Sequence, residues 1–279
     1  MTKTNRKYKD RLFIALFGSP ERKELTLELY NALNRTSYTN PDDIEINTLD
    51  DVIYIDMKND VSFILQDDLN MYEQQSTYNP NMPLRQFLYA AHAIEAYLEQ
   101  NSLKEKLYGA NQIKIPTPKL VTLYNGDRKT GDTELRLSNC FCGTSSGDIE
   151  VVVHLYSINL GDDLPGRCKS IKDYSLFVET CKKNSGIISE NEVNHAIAIL
   201  PEGPVKAYLS AQRAEVIDMI LTECNMENLK QVWKDDGRTE MVCSLVSDGS
   251  ISVESGAKHL GISKEDLTED MIELGYRIP

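Results

Sequence analysis

Apolar positions along the chain change period several times, and those changes outline the fold. In Tyr8–Phe17, Leu12, Phe13, Leu16 and Phe17 recur at helical spacing, and Gly18 stops the run. Pro20 suits the first turn of a second helix over about residues 21–34, with Leu25, Leu29, Ala32 and Leu33 as its core stripe. The turn cluster Thr39–Asp43 then separates helical from alternating pattern. Ile44–Asn47, Val52–Ile55, Asp60–Leu65 and Leu69–Gln75 read as short strands of a meander. Pro83 opens a long helix carrying Leu84, Phe87, Leu88, Ala91, Ile94, Tyr97 and Leu98 on its expected core face. Further strands are expected at Lys119–Tyr124, Glu134–Leu137 and Val151–Tyr156.

From about residue 163 the pattern is helical, with candidate helices at 207–224 and 237–246. The order predicts an α/β fold with a mixed sheet and a helical C-terminal region. The expected division is 1–182 and 183–279. Ile251–Leu267 has the outline of a helix-turn-helix with Leu260–Ser263 as the turn. Its second helix carries Glu265, Asp266, Glu269, Asp270 and Glu273 against Lys264, an acidic surface unsuited to reading DNA. A packed hairpin, available for self-association as a homodimer, is the favoured expectation.

Parity within the 60–75 hairpin gives the first chemical lead. With Asp67–Asp68 as a two-residue turn, Gln66 pairs with Leu69, Asp60 with Gln75 and Ser62 with Glu73. Asp60, Glu73 and Gln75 then share a face. A one-residue slip would separate them. Two converging carboxylates suit Mg²⁺, which takes one or two protein carboxylates and keeps several waters. The carbonyl of Gln74 offers a further oxygen, and Gln75 can orient a water or contact phosphate.

This set resembles the D…(D/E)-x-K core of the PD-(D/E)XK nuclease superfamily. The chain is more closely similar to the bacterial recombination-promoting nuclease (Rpn)/putative transposase family. The matching segments are Lys9–Phe13, Leu29–Asn34, Asn59–Phe63, Tyr72–Arg85 and Leu123–Gly126. The resemblance covers about residues 8–160. It implies a restriction-endonuclease-like αβββαβ core and Mg²⁺-dependent DNA cleavage linked to recombination or mobile elements, with Mn²⁺ able to substitute. It also implies metal ligation by Asp60 and Glu73. Gln75 takes the usual Lys position and offers a dipole where Lys offers a charge. An acid on the first core helix often completes such sites; Glu24 and Glu28 both qualify by position, while Asp10 lies in a family-like segment. Arg85, just inside the long helix, is placed either to reach phosphate or to form an ion pair.

Charge and cysteines adjust this picture. The net charge is −13, which counts against a duplex-wrapping basic surface. Residues 1–126 hold 14 Lys+Arg against 17 Asp+Glu, and residues 127–279 hold 16 against 26, so most of the excess lies outside the candidate site. The six cysteines lack metal-ligand spacing and are expected to be free thiols. His92, His154, His195 and His259 show no ligand spacing either. No run of about 18 apolar residues and no secretory h-region is present, so the expectation is a cytoplasmic protein off the membrane.

Overall fold

A computed structural model describes residues 7–46, 60–143, 147–182, 188–247, 249–260, 263–274 and 276–277. The expected strand Val52–Ile55 lies outside these residues. The chain forms two compact units, Met1–Ile220 and Leu221–Pro279.

The first unit is α/β. Helix α1 (Lys7–Phe17) buries Tyr8, Leu12, Phe13, Leu16 and Phe17. It stops where Gly18 N donates to Ile14 O at 2.8 Å. A 3-10 turn at Pro20–Arg22 leads into α2 (Lys23–Asn34), which ends at Arg35 in the left-handed region, φ 56°. The strands are β1 (Ile44–Ile46), β2 (Val61–Leu65) and β3 (Asp68–Gln75). Helix α3 (Met82–Gln100) then connects to β4 (Thr117–Tyr124), β5 (Thr133–Arg136) and β6 (Val152–Ser157). The sheet order is β1-β2-β3-β4-β6-β5. Strands β1, β2 and β3 pair antiparallel, β4 runs parallel to β3 and to β6, and β5 closes the edge antiparallel to β6. The expected mixed sheet is therefore present.

Helices α4 (Asp163–Arg167), α5 (Lys169–Lys182), α6 (Glu190–Ile199) and α7 (Pro204–Ala211) follow. Because α6 and α7 pack on α5, the first unit runs to Ile220, beyond the boundary expected at 182–183. Aromatic contacts bind one face of the sheet to α2, and α1 to α5. Phe63 meets Tyr30 and Tyr72 edge-on, and Tyr174 meets Phe13 and Phe17 in the same way.

Helix α3 covers the other face, on a different stripe from the one expected. Met82, Gln86, Tyr89, Ala90 and Ala93 are buried, while Leu84, Leu88 and Ala91 are exposed. Two features turn the helix. Gln86 Nε2 donates to Val121 O at 3.0 Å, and the small Ala90 and Ala93 allow close approach to the sheet. A buried glutamine that satisfies a strand carbonyl outweighs two leucines that stay partly wet.

The expected helix 207–224 is divided at Gln212, which caps α7 before α8 (Arg213–Ser247) begins. The expected helix 237–246 is part of α8. In the second unit, α9 (Val253–Leu260) and α10 (Lys264–Glu273) form a hairpin against the end of α8. Val242, Cys243, Val246, Ala257, Leu267 and Met271 make its core. Gly256 is the point of closest approach: a Cβ there would lie 2.9 Å from Val242 and from Val246 side chains. Among the described residues Cys140, Cys142, Cys168, Cys181 and Cys243 are free thiols, and no helix is long and apolar enough to cross a membrane.

Candidate active site on strand β3

The β2–β3 turn is Gln66–Asp67, one residue earlier than expected, with Leu65 paired to Asp68. Gln66 adopts φ 55°, which permits the tight turn, and Thr117 N holds Asp67 O at 2.7 Å. Val61 therefore faces Tyr72, and Ser62 faces Met71 instead of Glu73. Continuing that register sets Asp60 opposite Glu73, not Gln75. The displacement is two residues along the partner strand, so parity survives and Asp60, Glu73 and Gln75 still share a face.

Each side chain is anchored. Asp60 Oδ2 accepts from Gln74 N at 2.7 Å. Glu73 is 2% exposed, and its Oε1 accepts from Arg85 Nη2 at 2.6 Å and Gln75 Nε2 at 3.0 Å. Glu73 Oε2 is buried with no hydrogen-bond partner. Arg85 is held in turn by Tyr89 Oη, at 3.2 Å from Nε and 3.0 Å from Nη2. Tyr89 lies one helical turn beyond Arg85 on α3, an i,i+4 spacing visible in the sequence though not singled out above. The Arg85–Glu73 ion pair is thus a fixed contact with one buried partner.

The other face of β3 supports this strand end. Gln74 Nε2 and Ser76 Oγ each donate to Asn125 Oδ1 at 3.0 Å, and Lys9 Nζ reaches Ser76 Oγ at 3.3 Å. All four residues are buried. The Gln74 side chain consequently points away from the carboxylates, so a ligand role would fall to its main-chain carbonyl. Gly126 is tightly packed here: a Cβ would overlap Tyr124 Oη and the Ser76 carbonyl. Gly126→Ala should destabilise the fold by about 1–3 kcal/mol. A urea midpoint equal to wild type would contradict that packing.

The remaining candidates divide clearly. Asp10 on α1 lies close enough to push both carboxyl groups upward in pKa. Glu28 caps α5: its Oε1 accepts from Lys169 N at 2.8 Å and Ser170 N at 3.3 Å. Its carboxylate is committed to that helix terminus. Glu24 is exposed on α2.

Electrostatically the site is a carboxylate cluster offset by one guanidinium. Burial, then Glu73 and Asp10, raise Asp60 well above the ordinary range, against the Gln74 amide and Arg85. Burial pushes Glu73 up to about 7; Arg85 opposes this, Asp10 adds to it, and the Asp60 amide and Gln75 oppose it. A raised folded-state pKa gives stability that is complete below the unfolded value and disappears as pH rises through the folded value. For Glu73 the window is pH 4.5 to about 7, with a total effect on the order of 3 kcal/mol. Glu73→Gln, which cannot titrate, should therefore gain on the metal-free wild type as pH rises from 5 to 8. Parallel stability–pH curves for the two proteins would refute the shift.

The site's chemistry suits a divalent cation in part. Among the described residues no group of three His, Cys, Asp or Glu side chains is assembled for a metal. Two carboxylates that resist ionisation, one with an unpartnered buried oxygen, do form a place where a cation would relieve electrostatic strain. Comparison with protein-family models, with curated proteins and with solved structures gives no match.

Proposed function

We propose that the chain is a Mg²⁺-dependent endonuclease of the PD-(D/E)XK type, hydrolysing phosphodiester bonds in DNA. The observation that carries this reading is the Asp60–Glu73 pair at the end of β3, Glu73 buried and Asp60 half-buried, with Glu73 Oε2 lacking a hydrogen-bond partner. The sequence of elements from α2 through β1, β2, β3 and α3 to β4 supports a restriction-endonuclease-like core.

Asp60 and Glu73 would hold the cation, with the Gln74 main-chain carbonyl as a third oxygen. When bound, Mg²⁺ supplies Lewis acidity toward the phosphate and a lowered water pKa. Gln75 already donates to Glu73, which leaves its carbonyl oxygen to orient the attacking water. Arg85 is the fixed positive charge beside the carboxylates and stands in for the Lys that Gln75 replaces. Hydrolysis adds water across one P–O bond, leaving one phosphate-bearing and one hydroxyl end. A link to recombination or mobile elements rests on the family resemblance alone.

A second reading is a weakly active nuclease-fold accessory protein that binds DNA. It is favoured by one observation: Arg85 and Gln75 both occupy Glu73 Oε1. Nicking of supercoiled plasmid separates the two. Conversion that requires Mg²⁺ or Mn²⁺ and stops with chelator supports the enzyme. DNA retention without conversion supports the accessory protein.

A further inference from the structure

The carboxylate pair sits at the carboxyl end of β3, and the parallel strands β4 and β6 end along the same edge. Loops diverge beyond the carboxyl ends of parallel strands, which is where α/β sheets receive ligands. Here the loops after β4 and β6, together with α5, enclose an open crevice of about 630 Å³. Arg128, Lys129, Thr130, Ser157 and Asn159 line it. The loops are held in place. Asn159 Nδ2 donates to Gly126 O at 3.1 Å, and Ser157 N donates to Asp132 Oδ1 at 3.0 Å. Thr130 Oγ1 is buried in this lining with no partner.

A continuous set of side chains leads from the carboxylates to this crevice. Gln75 pairs with Tyr124 in the ladder. Tyr78, three residues beyond Gln75, meets Tyr124 edge-on at 6.5 Å. The Arg128 guanidinium lies over the Tyr78 ring, 4.0 Å from its centroid, and Arg128 N is fixed by Tyr124 Oη at 3.0 Å. Stacking holds the guanidinium plane and leaves its N–H edge for a planar anion.

We infer that, given the nuclease reading above, the crevice takes the single nucleic-acid strand running on from the scissile phosphate. Arg128 grips the flanking phosphate in bidentate fashion, and Tyr78 holds it in position. Asp127, Asp162 and Glu179 also line the crevice, against Arg128 and Lys129. So acidic a lining leaves few phosphate contacts, centred on Arg128, and disfavours a wrapped duplex.

The test is fluorescence anisotropy of a labelled 15-nucleotide oligothymidylate across a salt series, beside plasmid cleavage, for wild type, Arg128→Ala and Arg128→Lys. Lys206→Ala is the control for charge, since Lys206 sits on α7 in an exposed pair with Glu202. Arg128→Ala should weaken oligonucleotide binding about tenfold and reduce the salt slope by about 0.7. Arg128→Lys should keep the slope and lose part of the affinity, and Lys206→Ala should change neither. The same sequence as duplex should bind more weakly and be indifferent to Arg128. Unchanged affinity and slope in Arg128→Ala, with Asp60-dependent cleavage intact, would overturn the strand path and leave the nuclease reading standing. A wild type that neither binds the oligonucleotide nor cleaves with metal would overturn both.

Discussion

Asp60→Asn and Glu73→Gln should each lower metal-dependent plasmid cleavage on the order of 10³-fold, because each removes half of the anionic charge facing the cation. The amide replacements are chosen to keep the fold. Asp60 Oδ2 accepts from Gln74 N, and an Asn carbonyl can continue to do so. Asp60→Ala would instead leave a strand N–H without its acceptor, at about 1–3 kcal/mol. In Glu73→Gln the side-chain carbonyl can still accept from Arg85 and Gln75. Activity should thus be lost with the urea midpoint near or above wild type at pH 8. Cleavage within threefold of wild type in either variant would remove that residue from the chemistry.

Arg85→Ala carries the second large effect, and it acts on folding and on cleavage. Glu73 has its strongest opposite charge in Arg85, and the carboxylate is 3% exposed while the guanidinium is 33% exposed. Breaking a buried pair from one side costs about 3–5 kcal/mol. Partial exposure of Arg85 reduces this to about 2 kcal/mol. The sign with pH is fixed. Arg85 lowers the Glu73 pKa, so its loss leaves the carboxyl protonated to higher pH. The destabilisation should be small at pH 5, where Glu73 is protonated with or without Arg85, and full at pH 8.5. Arg85→Lys should restore most of the stability and less of the cleavage, since Lys lacks the planar fork held by Tyr89. A pH-independent loss would mean that Arg85 acts through packing on Met82 and Tyr89 alone.

Side-chain parity made the carboxylate pair legible in the sequence. Alternation put Asp60, Glu73 and Gln75 on one face, and that conclusion tolerates an even register shift. The register itself was not legible, because it depends on which two residues turn. Gln66 in a left-handed conformation is an uncommon choice, and the Thr117 contact that secures the turn comes from a distant strand. The face of α3 was misread for a related reason. Hydrophobic period favoured Leu84 and Leu88, whereas the deciding contact is a polar one, from Gln86 to Val121.

The helix acids show the same limit. Position on α2 did not distinguish Glu24 from Glu28, whereas the fold does: Glu28 caps α5, 141 residues away in sequence, and Glu24 is exposed. Asp10, whose role had no assignment, is the acid felt by both carboxylates. The support behind β3, through Lys9, Ser76, Asn125 and Gln74, joins residues from three separate stretches of chain. Pairings of that span leave no periodic trace.

Titration calorimetry of Mg²⁺ and Mn²⁺ into the wild type and Asp60→Asn at pH 7 tests the central claim most directly. Repeating it in buffers of different ionisation enthalpy counts the protons released. One cation site is expected, whose binding releases protons from Asp60 and Glu73, whose pKa values are raised. Asp60→Asn should abolish this site. Absence of binding in the wild type, or equal binding by the two proteins, would contradict it.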